Sequence, residues 1–309
     1  MKTIHTGKTL MAVALMGSLF GGGCSYTAIQ KFTLKTDYLL NKVQAPPAVA
    51  NYARDVVWSE PEGEALTLDV SWPEGEGPFP LVVNIHGGAF FLGTKAMDEA
   101  LCRALTNRGY TVVNINYRLA PQHPFPAAVN DGLGAVVWAK SHAREYKGDP
   151  ARVAVMGGSA GGNLAAMVAL AGDDPFFSPT VRAPGVSAQV QAAVPIFAVF
   201  DLTIMSHPGD KGDNPYLGAS LDAAPELFAK ASPVTYLDAS APPMLLVCGD
   251  KDGLYPQSVA VDEKLTALGV PHAFYTAPGK GHGFTNWHWQ PAAQDAYQAI
   301  ADWLDQRFK

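Results

Sequence analysis

Gly157-Gly158-Ser159-Ala160-Gly161 is the segment of this chain best suited to chemistry. It follows a short apolar run, Arg152-Val153-Ala154-Val155-Met156, and precedes a small, helix-prone run from Asn163 to Leu170. A serine between glycines at a strand-to-helix junction predicts a sharp, strained turn that holds the hydroxyl above a sheet. It would also sit at a helix N-terminus, whose partial positive charge favours a developing anion. The glycines fit because a Cβ at those positions would meet neighbouring backbone. The competing reading is a Gly-rich turn that only cradles phosphate.

A serine hydroxyl is a weak nucleophile near neutral pH. It needs a base within hydrogen-bond reach, and the base needs an acceptor that orients it. For a serine on a strand-turn-helix the partners follow in the order acid, then histidine. His282 lies in Gly279-Lys280-Gly281-His282-Gly283-Phe284, after the strand-like Ala273-Phe274-Tyr275-Thr276 and before the last helical stretch. Glycines on both sides leave its ring accessible. The acid comes from Gly249-Asp250-Lys251-Asp252-Gly253, at the end of another apolar run. Either aspartate could accept the imidazole N–H. Asp252 lies further into the loop and is preferred, with Asp250 read as a turn-stabilising contact.

Acyl transfer also needs donors for a tetrahedral oxyanion. The amide of Ala160, next to the serine, is one. His86-Gly87-Gly88-Ala89-Phe90 follows a strand and carries little side-chain bulk, so its backbone N–H groups can face a ligand. The alternative there is a plain β-turn. His86 itself reads as a brace for its loop, not as a group that titrates in the reaction. Met156, Val168 and Phe197 read as core. No HExxH or close His/Cys grouping occurs, His282 and His288 are poorly spaced for one metal, and Gly132-Leu133-Gly134 falls inside a helix, so no metal or cofactor is expected.

The elements that must position these residues follow from hydropathy. Tyr52 to Trp58 and Leu66 to Trp72 alternate apolar and polar residues around Gly63, a leading β-hairpin. Leu81 to Ile85, Thr111 to Ile115, Arg152 to Met156, Ala192 to Val199 and Met244 to Cys248 are nearly continuous apolar runs, as expected of strands buried on both faces. Helical stretches lie between or after them: Met97 to Arg108, Ala127 to Arg144, Ser258 to Leu268 and Pro291 to Phe308. This alternation predicts one α/β domain with a mainly parallel sheet. The stretch 202–238, rich in Gly, Pro, Asp and Ser, fits a small lid inserted above the sheet's C-terminal edge.

At 309 residues and 48% hydrophobic, the chain can bury one large core. The net charge of −6, with no basic run, argues against nucleic acid as a partner. Lys2 and Lys8 precede a short apolar stretch, Thr9 to Phe20, followed by Gly21-Gly22-Gly23-Cys24-Ser25. That pattern reads as a signal peptide of the lipoprotein type over 1–24, with Cys24 as the lipidated membrane tether, although Gly21 stands where a lipobox carries Leu. Residues 25–50 then form a tether or helix, and 51–309 the catalytic domain, exported and facing the periplasm or cell exterior. Cys102 and Cys248 read as small buried hydrophobes, not a disulfide. Nothing in the pattern addresses oligomeric state.

From about Tyr52 onward the chain resembles the α/β-hydrolase esterases and lipases, in particular the hormone-sensitive-lipase-like group and the feruloyl-esterase-like hydrolases of bacteria. The resemblance is carried by HGGAF at 86–90, NYRLAPQHPFPAAVND at 116–131, DPARVAVMGGSAGGNLA at 149–165, CGDKDGLYPQS at 248–258 and GKGHGF at 279–284. It implies Ser159 as nucleophile, Asp252 as acid, His282 as base, and Gly88, Ala89 and Ala160 as the oxyanion hole. It also implies a polar network joining the 116–119 segment to Asp131. The chain has HGGA where the hormone-sensitive-lipase-like group mostly has HGGG, and 25–50 is short for that group's N-terminal cap. The expected activity is hydrolysis of small carboxylic esters. The same three residues would also serve an amidase, an arylformamidase or an exopeptidase, and a non-catalytic binding module is the reading from another class.

Overall fold

The computed structural model describes residues 46–205 and 212–309. The apolar N-terminal stretch, Cys24 and the tether up to residue 45 lie outside the described residues, as does part of the 202–238 insertion. Among the described residues eight strands form one sheet: β1 (Asn51–Ser59), β2 (Leu66–Trp72), β3 (Phe79–Ile85), β4 (Thr111–Ile115), β5 (Gly148–Gly158), β6 (Ala192–Ile196), β7 (Met244–Gly249) and β8 (His272–Ala277). Their order is β1-β2-β4-β3-β5-β6-β7-β8. The hairpin β1–β2 and the β2–β4 pair are antiparallel, and every pairing from β4 to β8 is parallel.

The helices are α1 (Glu99–Arg108), α2 (Ala127–Ser141), α3 (Ala160–Ala171), α4 (Pro225–Lys230), α5 (Tyr255–Leu268) and α6 (Pro291–Phe308). Strand side chains alternate between two cores, as a period of two requires. Leu81, Val83 and Ile85 of β3, with Val153 and Val155 of β5, pack with α2, α3 and α5. Val82, Ala154 and Met156 point the other way, into a core closed by α1 and α6. Both faces are therefore covered, which explains why the central strands carry no polar alternation. Cys102 in α1 and Cys248 in β7 are buried, and neither is in a disulfide.

Element ends differ from the sequence expectations where pairing or backbone geometry decides. β5 begins at Gly148, not Arg152, because Gly148 and Asp149 pair with Phe79 and Pro80 ahead of a bulge. α5 starts at Tyr255 with Pro256 in its first turn, where the missing N–H is harmless. β6 stops at Ile196 because Phe197 turns to φ 35°. α2 ends at Ser141, and a separate 3-10 turn spans Ala143–Tyr146.

Because β3 to β8 run parallel, the loops that leave β3, β5, β6, β7 and β8 emerge on one edge, the usual place for a ligand in an open α/β sheet. The loop leaving β4 is anchored to α2 by Arg118. Its guanidinium meets Asp131 at 2.8 Å and 3.0 Å, and its backbone N–H donates to the same carboxylate at 2.9 Å. Thr180 Oγ1 donates to it as well, at 2.5 Å. Asp131 is fully buried and Arg118 nearly so. In the insertion, Tyr216 stacks on Phe90 with centroids 3.8 Å apart, and its carbonyl accepts the N–H of Phe125 at 2.8 Å.

Removing Asp131 leaves the nearly buried Arg118 with only the exposed Glu62, 3.1 Å away, as a counter-charge. Asp131→Ala is therefore expected to lower unfolding free energy by about 3–5 kcal/mol, read as a reduced denaturant midpoint with an unchanged slope.

Candidate active site

Ser159 is the N-cap of α3, with φ 59° and ψ −119°. Its N–H donates to the Ile196 carbonyl at 2.9 Å, and its own carbonyl accepts the Asn163 N–H at 3.0 Å. The turn is possible because its neighbours lack side chains. A Cβ on Gly157 would collide with the carbonyls of Gly161 and Ile85, and one on Gly161 with those of Ile85 and His86. Gly87 is also pressed from the β3 side, where a Cβ would lie 2.8 Å from the Gly158 carbonyl and 3.4 Å from Ser159 Cβ.

The structure brings Ser159, His282 and Asp252 into one hydrogen-bonded row. His282 Nε2 lies 2.8 Å from Ser159 Oγ, and His282 Nδ1 lies 2.8 Å from Asp252 Oδ2. A carboxylate can only accept, so Nδ1 carries the hydrogen and Nε2 is left to accept the serine proton. The Asp252 side chain is 1% exposed, whereas that of His282 is 45% exposed. The second carboxylate oxygen, Oδ1, accepts the Leu254 N–H at 2.9 Å. Asp250 does a different job: its Oδ1 accepts the Gly279 N–H at 2.7 Å, tying the acid loop to the histidine loop. Lys251 N–H reinforces the tie by donating to the Lys280 carbonyl at 2.9 Å.

The loop after β3 carries three successive residues in the left-handed region: Gly88 (φ 124°), Ala89 (φ 52°) and Phe90 (φ 70°). The Gly88 carbonyl accepts the N–H groups of Phe91 and Leu92 at 3.1 and 2.8 Å, which curls the loop. The amides of Gly88 and Ala89 have no acceptor among the described residues, and Ala89 is exposed. Ala160 is the first residue of α3, where an N–H has no intrahelical partner. His86 braces the loop from inside. Its Nδ1–H donates to the Gly87 carbonyl at 2.6 Å, its ring stacks on Tyr117 at 4.4 Å, and the Tyr117 hydroxyl donates to its carbonyl at 3.2 Å. Burial pushes the His86 imidazole down to about 4, so it is neutral at ordinary pH.

Two neighbours carried no sequence signal. Phe197, expected only as core, packs its ring edge-on against His282 at 4.9 Å. Gln257 sits on α5 and accepts the N–H groups of Phe200 and Asp201 at 2.8 and 2.9 Å. An isolated Phe in an apolar run and a Gln in a helix look like filler. Only the crossing of distant elements reveals these contacts. Among the described residues no group of three or more His, Cys, Asp or Glu is arranged to hold a metal ion.

Comparison with known proteins gives a consistent picture. The BD-FAE family model matches residues 68–265. The chain is 34% identical over 248 residues to "Probable carboxylic ester hydrolase LipM" of Mycobacterium tuberculosis, covering 76% of this chain and 57% of that protein. It is 34% identical over 219 residues to an arylesterase of Saccharolobus solfataricus, covering 66% of this chain and 68% of the relative. An esterase structure from Pyrobaculum calidifontis superposes with a TM-score of 0.76 at 26% identity, covering 92% of this chain and 94% of that one. The chain spans 53% to 64% of the length of the first mycobacterial relatives it matches.

The buried neutral His86 sets a pH dependence. Its folded pKa of about 4 lies below the ordinary value of 6.5, so the unfolded chain binds the extra proton between those values. Stability then falls as pH drops from 6.5 toward 4, by up to about 1.4 kcal/mol per unit from this group. Denaturant midpoints measured across that range should show a shallower slope in His86→Asn than in the wild type.

Proposed function

The chain belongs to the α/β-hydrolase carboxylesterase family, and from that premise we propose that it is a serine carboxylesterase acting on small carboxylic esters through an acyl-enzyme. One observation carries the reading: a single imidazole spans 2.8 Å to a serine hydroxyl on one side and 2.8 Å to a buried carboxylate on the other.

Ser159 Oγ attacks the ester carbonyl carbon as its proton passes to Nε2 of His282. Asp252 keeps hold of Nδ1–H and stabilises the imidazolium. The tetrahedral oxyanion accepts hydrogen bonds from the amides of Gly88, Ala89 and Ala160, with the N-terminus of α3 adding its dipole. Collapse breaks the C–O bond, and the alcohol leaves with the proton from Nε2. A water then gives its proton to Nε2 and attacks the acyl-enzyme carbonyl. The second collapse releases the carboxylic acid and returns the proton to Ser159. The free amides at 88 and 89 support these donor roles, and no cofactor enters the scheme. Ester over amide is supported by the relatives' names, and aryl groups by the arylesterase among them.

On a panel of short p-nitrophenyl esters and matched anilides, the esters should be turned over and the anilides hardly at all. Ser159→Ala should fold, lose turnover and fail to take a fluorophosphonate label. Asp252→Asn should lower kcat by roughly 10⁴-fold. Asp250→Asn, which only loosens the tie to Gly279, should keep most of its turnover. Full ester turnover by Ser159→Ala would end the proposal.

We extend the reading to export and anchoring, with 1–24 as signal peptide, Cys24 as the acylated residue and 51–309 as the catalytic unit. The support is the charge and hydropathy pattern of the sequence. When the full chain is expressed in a bacterial host, the wild type should partition into a detergent phase, and Cys24→Ser should move to the aqueous phase.

A further inference from the structure

β6 ends in a backbone outlier. Phe197 has φ 35°, a conformation that costs a bulky L-residue energy and persists only where its surroundings over-determine it. Here the pinning is explicit. The Phe197 N–H donates to the Val247 carbonyl at 2.6 Å, and the Ile196 carbonyl before it holds the Ser159 N–H. Asn163 Nδ2 donates to the Val199 carbonyl at 2.9 Å. Gln257 Oε1 accepts from Phe200 and Asp201, and Ser232 Oγ accepts the Leu202 N–H at 2.8 Å. Asn163, Gln257 and Ser232 are all buried. Side chains from α3, α5 and the insertion thus converge on one short stretch of backbone.

What the strained residue places is its ring. That ring lies 4.9 Å from the His282 imidazole at 64°, and 6.0 Å from Phe284 at 63°. It also lies over Gly158, where a Cβ would come within 3.1 Å of it. The two hydrogen bonds of His282 are made through its ring nitrogens, whose bonding directions lie in the imidazole plane. They fix the ring's position along the row but resist tilting poorly, and the side chain is nearly half exposed. A second ring packed at an angle supplies the missing out-of-plane restraint.

We propose that Phe197 is a positioning residue for the base: its strained backbone is held so that its ring keeps the His282 imidazole coplanar with Ser159 Oγ and the Asp252 carboxylate. This rests on the esterase reading above. Phe197→Leu keeps most of the apolar volume but removes the flat ring, and Phe197→Met is a milder second variant should Phe197→Leu fold poorly. In folded variants, checked by circular dichroism and melting temperature, kcat should fall by about 10–100-fold with KM nearly unchanged, the signature of misplacement and not of weakened binding. The downfield proton resonance of His282 Nδ1–H, assigned by its loss in His282→Gln, should broaden or disappear. A folded Phe197→Leu or Phe197→Met that keeps both kcat and the resonance, or whose loss falls on KM alone, would overturn the proposal. Failure of the esterase reading is separable: a wild type with no ester turnover and no fluorophosphonate adduct at Ser159 sinks that reading, while the resonance still reports on Phe197.

Discussion

The site depends on backbone packed directly against backbone where β5 turns into α3. Gly157 and Gly161 lie against the carbonyls of Ile85 and His86, and Gly87 lies against that of Gly158. With no side chain between them, the serine turn and the loop after β3 behave as one packed unit. Their relative position is set by covalent geometry, not by rotamers, which keeps the Ser159 hydroxyl and the amides of Gly88 and Ala89 in register. The φ of 59° at Ser159 is the local cost, of order 1–3 kcal/mol. It is sustained because the end of β5, Val153 to Gly158, and most of α3 are buried on either side.

On that frame the charges are distributed unevenly. Asp252 is buried and accepts one N–H group on each carboxylate oxygen, so its side chain is fixed in direction. His282 is nearly half exposed, so its ring meets both the serine and solvent. His86 is chemically the same side chain in the opposite situation. Its full burial keeps it neutral, and one ring nitrogen is committed to the Gly87 carbonyl. The two histidines therefore divide cleanly by environment, one locked inside as a brace and one open to solvent.

Much of this was legible in the primary structure. The central strands announced themselves as uninterrupted apolar runs, and the chain order of Ser159, Asp252 and His282 on strand-end loops anticipated which residues would meet. The choice between Asp250 and Asp252 rested on how far each lay into its loop, and the hydrogen bonds separate the two: one reaches a backbone amide, the other an imidazole. Phe197 and Gln257 were not legible. Each acts across elements far apart in the chain, Gln257 by bridging α5 to the loop after β6 and Phe197 by leaning from that loop onto the histidine loop. Side-chain type says nothing about such crossings. Element ends were misjudged for a related reason, since the length of β5 depends on what Phe79 and Pro80 pair with, not on its own composition.

The insertion between β6 and β7 is built into the scaffold. Tyr216 and Phe228 are buried, Tyr216 stacks flat on Phe90 of the loop after β3, and Ser232 is bonded to Leu202 and to the Phe228 carbonyl. Phe90 itself has a positive φ, and its carbonyl accepts the Ala120 N–H at 3.0 Å, so the stack lands on a residue already fixed from two sides. The loop that carries the Gly88 and Ala89 amides is consequently clamped between the serine turn on one flank and the insertion on the other. The geometry of the hydrogen-bonded row is thus drawn from the sheet edge, whose motifs are short and local. The surroundings of that row are drawn partly from an irregular segment that packs through single aromatic contacts. That division explains why the hydrogen-bonded row could be read from a few motifs, whereas the packing around it emerges only from contacts between distant segments.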